Sequence, residues 1–358
     1  MPVTYDLDVL QPGDIILSNH SGKVSRIVRR WTKSPWSHAM LYIDRTIVHA
    51  VGDGVHTINP QREKFEPGEV AVYRLSGLTP LQAAAICEAA RARVGTRYTT
   101  WEAVLSILLR ASKLEALGQN QYCSRLVAQA YHALGINLHS NPDHCFPSDL
   151  IAGAGWIRVQ NALRPWTPLD EQLRKTRDTL KADQDAVFAF LRPLDWASLL
   201  TFHGRVRDAN HAWTRAANSG FVDLLASWFL RRSGWLDNER LDEEVNPHRY
   251  NSAAFLSGLK TITFSEAARV LQSEWQVLFE MTGRILSALQ HFSSLGTART
   301  ILLIKNYEYR RLAVMAERAE VLLQVMQSSK VTPPGHPSEP AVSSHLLSVR
   351  AILQRRPF

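Results

Sequence analysis

The sequence predicts an α+β chain in which an antiparallel sheet packed on helices occupies residues 1–165 and a mostly α-helical domain follows over 166–328. Three observations carry this. Short apolar stretches with period-2 alternation recur between turn residues up to about residue 160. From Pro165 onward that alternation disappears and long helical stretches replace it. Ser328 to Ser344, with Pro333, Pro334, Gly335, Pro337 and Pro340, then reads as the start of a flexible tail over 329–358 with a short amphipathic end.

The elements follow in order. Gly13-Asp14-Ile15-Ile16-Leu17 reads as a buried strand entered from a Pro12-Gly13 turn, and Ser25 to Trp31 has helical spacing with basic residues outward. In His38 to Ile43, Ala39, Leu41 and Ile43 share one face of a strand while His38, Met40 and Tyr42 share the other. Asp44-Arg45-Thr46 reads as a turn, Ile47 to Val51 as the return strand, and Val70 to Leu75 as a further strand of the sheet. Thr79-Pro80 is a helix start, with Thr at the N-cap and Pro in the first position, for a helix to Arg93. Helices over Thr100 to Leu109 and from Cys123 to Gly135, a loop over 140–149 and a strand at Trp156 to Val159 complete this half. Beyond it, helices are predicted over about 170–192, 195–232, 264–294 and 297–328.

Composition excludes several classes. The chain has 358 residues, 45% of them hydrophobic, and its net charge of +8 is spread over both halves, so neither is a polybasic tail and no nucleic-acid partner is expected. Three scattered cysteines, Cys87, Cys123 and Cys145, make neither a disulfide framework nor a zinc motif. His56, His139 and His144 lack zinc-ligand spacing on one element, so no metal and no cofactor are expected. The first residues carry acids where a signal peptide places Lys or Arg, and the longest apolar stretches fall short of the roughly 20 residues that span a bilayer. Synthesis in the cytosol, without a transmembrane segment, is the expectation.

The chemistry concentrates on Cys123, which opens an amphipathic helix after Gln121 and Tyr122. The helix dipole and unpaired N–H groups there favour a thiolate. A thiol nucleophile needs a base, and the base needs a polar orienter. His38 is the base candidate and His49 the orienter, provided the intervening turn has two or four residues; a three-residue turn would place them on opposite faces. Cys145 is a minor rival nucleophile, and Cys87, among Ala84, Ala85, Ile86 and Ala89, reads as packing.

Pro12 to Leu17, Trp36-Ser37-His38-Ala39-Met40-Leu41-Tyr42-Ile43, Val48-His49-Ala50 with Gly54-Val55, Tyr122-Cys123-Ser124 with Leu126 and Val127, and Phe146-Pro147-Ser148-Asp149-Leu150 occur in the order of a known family. Over residues 10–160 the chain resembles permuted papain-fold cysteine hydrolases of the NlpC-like superfamily, especially the YiiX-like branch, with lecithin:retinol acyltransferase-like proteins as relatives. The resemblance implies a thiolate at Cys123, a general base at His38, a third polar residue at His49 and a backbone oxyanion donor at the start of the Cys helix. It departs at His49 and Arg125, where the YiiX-like pattern commonly has Glu; the acyltransferase-like relatives use His as third residue, and Arg125 signals a changed substrate charge.

Trp36, Ser37, Tyr98, Tyr122, Arg125 and Arg30 are the candidate substrate-binding residues, Arg30 from the basic stretch Lys23 to Lys33, which reads either as a solvated helix face or as a holder of an anionic substrate. The leading expectation is an amidase or peptidase that passes through an acyl-enzyme on bacterial cell-wall peptide, a secreted effector exported without a signal peptide. A lipid acyl hydrolase or acyltransferase, and a binding module that has lost turnover, stand as alternatives. Trp166, Trp196, Trp213, Trp228, Trp235 and Trp275 read as core builders, with peripheral membrane contact and a protein partner as the other readings of the helical domain.

Overall fold

A computed structural model describes residues 1–19, 34–51, 54–96, 123–201, 204–329 and 338–355. The predicted helices over Ser25 to Trp31 and Thr100 to Leu109, together with Arg30, Tyr98 and Tyr122, lie outside the described residues. The chain divides into two compact units, the first comprising Met1–Asp185 with Arg207–Ala209 and the second Ala186–Val206 with Asn210–Phe358.

In the first unit, β2 (Ile15–Ser18), β3 (His38–Tyr42), β4 (Ile47–Val51), β5 (Gly54–Ile58), β6 (Val70–Leu75) and β7 (Trp156–Arg158) form an antiparallel sheet in the order β5-β4-β3-β2-β6-β7. A separate ribbon pairs β1 (Val3–Tyr5) with β8 (Leu163–Pro165). Both ribbon strands and β5 escape the sequence reading. The ribbon strands are three residues each, too short for alternation to register.

The sheet is buried on both faces. Ile15, Leu17, Ala39, Leu41, Val48 and Val55 pack against α1 (Pro80–Arg91) and α2 (Cys123–His132). Ile16, Met40, Tyr42, Ile47 and Val72 pack with Tyr5, Leu10 and Phe65 on the other side. Thr79 caps α1 in a capping box with Gln82 and Pro80 starts the helix, as the sequence predicts. Gly13 has φ +92, and a Cβ there would meet Leu78 at 3.0 Å; its carbonyl accepts the Tyr131 hydroxyl at 2.5 Å, tying the entry of β2 to α2.

Four helices come next: α3 (Pro168–Lys175), α4 (Thr179–Leu200), α5 (Ala209–Asn218) and α6 (Gly220–Arg232). The helix predicted over 195–232 is therefore three pieces. Pro193 does not end α4, which runs through it to Leu200, and the break falls instead before Ser219, which caps α6 by accepting the Val222 N–H. In the second unit α7 (Ser252–Leu259), α8 (Phe264–Ser294), α9 (Arg299–Ser329) and α10 (Glu339–Gln354) bury Leu278, Ile285, Leu312, Ala319, Leu346 and Val349. The predicted α8 and α9 agree with the structure within two residues. Phe190 stacks on Trp213 at 5.1 Å and Trp213 meets Trp235 at 5.7 Å, so these tryptophans build core.

Candidate active site

The β3–β4 hairpin sets the geometry. Ile43 N–H donates to the Thr46 carbonyl at 2.8 Å across Asp44 and Arg45, which have φ of 70° and 54°. This is a two-residue turn with both central residues left-handed, the form whose twist suits a hairpin. The resulting register pairs Met40 with His49. His38, two residues before Met40, therefore shares a face with His49, and the two rings meet, His38 Nε2 lying 3.2 Å from His49 Nδ1. With the proton on His38 Nε2, Nδ1 is the basic ring nitrogen.

Cys123 is the first residue of α2, which packs across β3. The backbone N–H groups of Ala39, the residue after His38, and of Ser124 and Cys123 favour the anion of its sulfur. The thiol at the helix start thus lies against the backbone of β3 at Ala39. Ser37 N–H donates to the Ser18 carbonyl at 3.0 Å, extending the β2–β3 ladder to the residue before the base.

Residues 9–142 match the family model of permuted papain-like amidase enzymes, YaeF/YiiX, C92 family. Over these residues the chain is similar to permuted papain-like amidases. Among solved structures, the chain is similar to the crystal structure of metalloprotein YiiX from Escherichia coli O157:H7, at 20% identity over 44% of this chain and 99% of that one, with a TM-score of 0.34. No curated protein matches the chain.

The Cys123 thiol is not primed in the way its helix position implies. Burial pushes the Cys123 thiol up from its ordinary value, and the surrounding N–H groups and the Ser124 hydroxyl pull it only part of the way back. The helix start stabilises the anion, but desolvation outweighs it.

The other candidates take these places. Trp36 meets Tyr73 edge-on at 6.5 Å beside the start of β3. Ser37 is half-buried, its hydroxyl within 3.5 Å of the Ser18 carbonyl. Arg125 is buried, and its Nε donates to Asp143 at 3.1 Å; Gln129 donates to the same carboxylate oxygen. The loop after α2 is further held by Ser124, which donates to the Cys145 carbonyl at 2.6 Å, and by Asp149, which accepts the Phe146 N–H at 2.8 Å.

Two residues extend the histidine pair beyond what the sequence shows. His56 on β5 is directly opposite His49, their rings 6.2 Å apart. Gln184 on α4 lies 3.2 Å from His56 Nδ1 through Oε1, and its Nε2 donates to the Thr57 carbonyl at 2.6 Å and to the Thr57 hydroxyl. Because the amide nitrogen is spent on Thr57, Oε1 is the acceptor and His56 Nδ1 carries the proton. The period-2 relation of His56 to His49 across a tight turn was the available signal; nothing in the sequence points to Gln184. Ser18, paired with His38, has a buried hydroxyl with no hydrogen-bond partner among the described residues.

The other two thiols give an alkaline prediction. Burial raises Cys87 to about 11 and Cys145 to about 12 from 9.0. Both stay neutral in the fold after the unfolded chain has ionised, so their contribution is complete below pH 9 and is lost as pH rises toward 12. Denaturant midpoints should fall through this window, and less steeply for Cys87→Ala than for the parent.

Proposed function

We propose that the first unit is a thiol hydrolase that cleaves an amide bond, in bacterial cell-wall peptide, through an acyl-enzyme on Cys123. The observation that carries this reading is the His38–His49 contact at the strand end against which Cys123 opens its helix. His38 Nδ1 takes the thiol proton as the sulfur bonds to the carbonyl carbon, while His38 Nε2–H is held by His49 Nδ1. The N–H groups at the start of α2 stabilise the tetrahedral oxyanion. His38 then protonates the leaving amine, and water, deprotonated by the same imidazole, releases the acid and restores the thiol.

His49 acts through His38 as a positioning residue, and His56 with Gln184 fixes His49 from behind.

The test is incubation with purified peptidoglycan and, separately, with phospholipid vesicles, each followed by mass spectrometry. New termini in the stem peptides, absent with Cys123→Ala, are the expected result. Released fatty acid with intact peptide would overturn the amide reading in favour of a lipid acyl hydrolase, and no product from either would overturn the hydrolase reading.

A further inference from the structure

We propose that the helical unit binds an anionic phospholipid surface through the outward face of α6. Val222, Asp223, Ala226, Ser227 and Leu230 form the buried side of this helix. Asp223 locks it to α9, accepting the N–H groups of Arg299 and Thr300 at 2.9 and 2.8 Å. On the opposite side, Phe221, Leu224 and Trp228 recur at helical spacing and are 44%, 51% and 50% exposed. Arg231 and Arg232 follow on the next turn, both exposed, with the Arg232 guanidinium 4.7 Å from the Trp228 ring centroid.

The end of α4 repeats the pattern, with Arg192, Trp196, Leu199 and Leu200 all exposed within one face of the helix. Charge decides what such faces fit. The segments 186–206 and 210–232 contain two acids, Asp195 and Asp223. Both are buried and spent on backbone, Asp195 on the Val206 N–H at 2.8 Å and Asp223 on the start of α9. Every other charged side chain of these segments, Arg192, Arg205, Arg215, Arg231 and Arg232, is cationic.

An aromatic and leucine stripe ending in two exposed arginines, with Asp237 as the exposed acid that follows them, complements a bilayer interface. Phe, Leu and Trp enter the boundary between headgroups and acyl chains, while Arg meets lipid phosphate. Among the described residues no helix is long and apolar enough to cross a membrane, so the contact lies in the plane of the surface. This inference is independent of the hydrolase reading.

The full chain is sedimented with vesicles of phosphatidylcholine containing phosphatidylglycerol and with vesicles of phosphatidylcholine alone. Binding to the former is expected, about tenfold weaker for Leu224→Gln/Trp228→Gln. Arg231→Gln/Arg232→Gln should lose about fivefold per arginine on the anionic vesicles and little on the neutral ones. All four positions are exposed, so unchanged melting curves report intact folding for both variants. A parent chain that binds neither vesicle, or variants that bind as the parent does, would overturn the proposal, as would a face that captures a protein while ignoring lipid.

Discussion

Cys123→Ala is expected to lower hydrolysis by at least roughly 10⁴-fold, and His38→Ala by nearly as much at neutral pH, because nucleophile and base act as one unit. The two differ in how they respond to pH. Burial holds the Cys123 thiol above its ordinary 9.0, so without His38 almost no thiolate exists at pH 7. Only at pH well above the ordinary thiol value does the thiol ionise unaided. His38→Ala should therefore recover part of its rate in alkaline buffer, whereas Cys123→Ala should stay silent at every pH. A His38→Ala rate that fails to rise over the pH range in which thiol labelling of the same variant shows Cys123 ionising would show that the imidazole does more than remove a proton. His49→Ala and His56→Phe should leave thiol labelling of Cys123 intact but reduce kcat, His49→Ala by about 10²-fold and His56→Phe by about tenfold, with KM little changed. A loss confined to KM would make them substrate contacts.

Arg74→Ala carries the largest expected effect on stability, about 3 kcal/mol by denaturant unfolding. Arg74 makes two bonds of 2.7 Å to Asp14 and donates to the Val9 carbonyl at 2.9 Å. Asp14 is 1% exposed and otherwise receives the Gln11 N–H at 2.9 Å. Removing the guanidinium leaves a carboxylate buried without its counter-charge at the entry to β2. Adding Asp14→Asn should return much of the loss, since a neutral amide tolerates that site better than an unpaired anion. If the double variant is no more stable than Arg74→Ala alone, the cost lies in packing of the arginine stem and not in charge.

These sites explain what could be read in advance. Strands β2, β3, β4 and β6 carry four to six apolar or alternating residues, and the Thr79-Pro80 start obeys capping chemistry that acts within four residues. Such local signals survive in a sequence. The His38–His49 contact was conditional, because its parity hangs on whether Thr46 belongs to the turn or to the strand. Backbone geometry answers that: Thr46 pairs with Ile43 and the turn is Asp44-Arg45. Gln184 was illegible, since it reaches His56 across 128 positions from a helix whose own pattern is unremarkable. The elevated thiol was also hidden, because dipole arguments see a helix end but not the desolvation around it. Pro193 misled for a related reason: propensity predicts a break, and tertiary packing of Phe190, Leu191 and Leu194 holds the helix through it.

The Asp44-Arg45 turn has a consequence for how such proteins can diverge. Side chains in a strand alternate strictly, so a single inserted or deleted residue at this turn would send either His38 or His49 to the far side of the sheet. Length variation here is thus permitted only in even steps or with a compensating bulge, although neither turn residue touches the chemistry. Drift in most surface loops is a matter of tolerance; at this one it is a matter of parity.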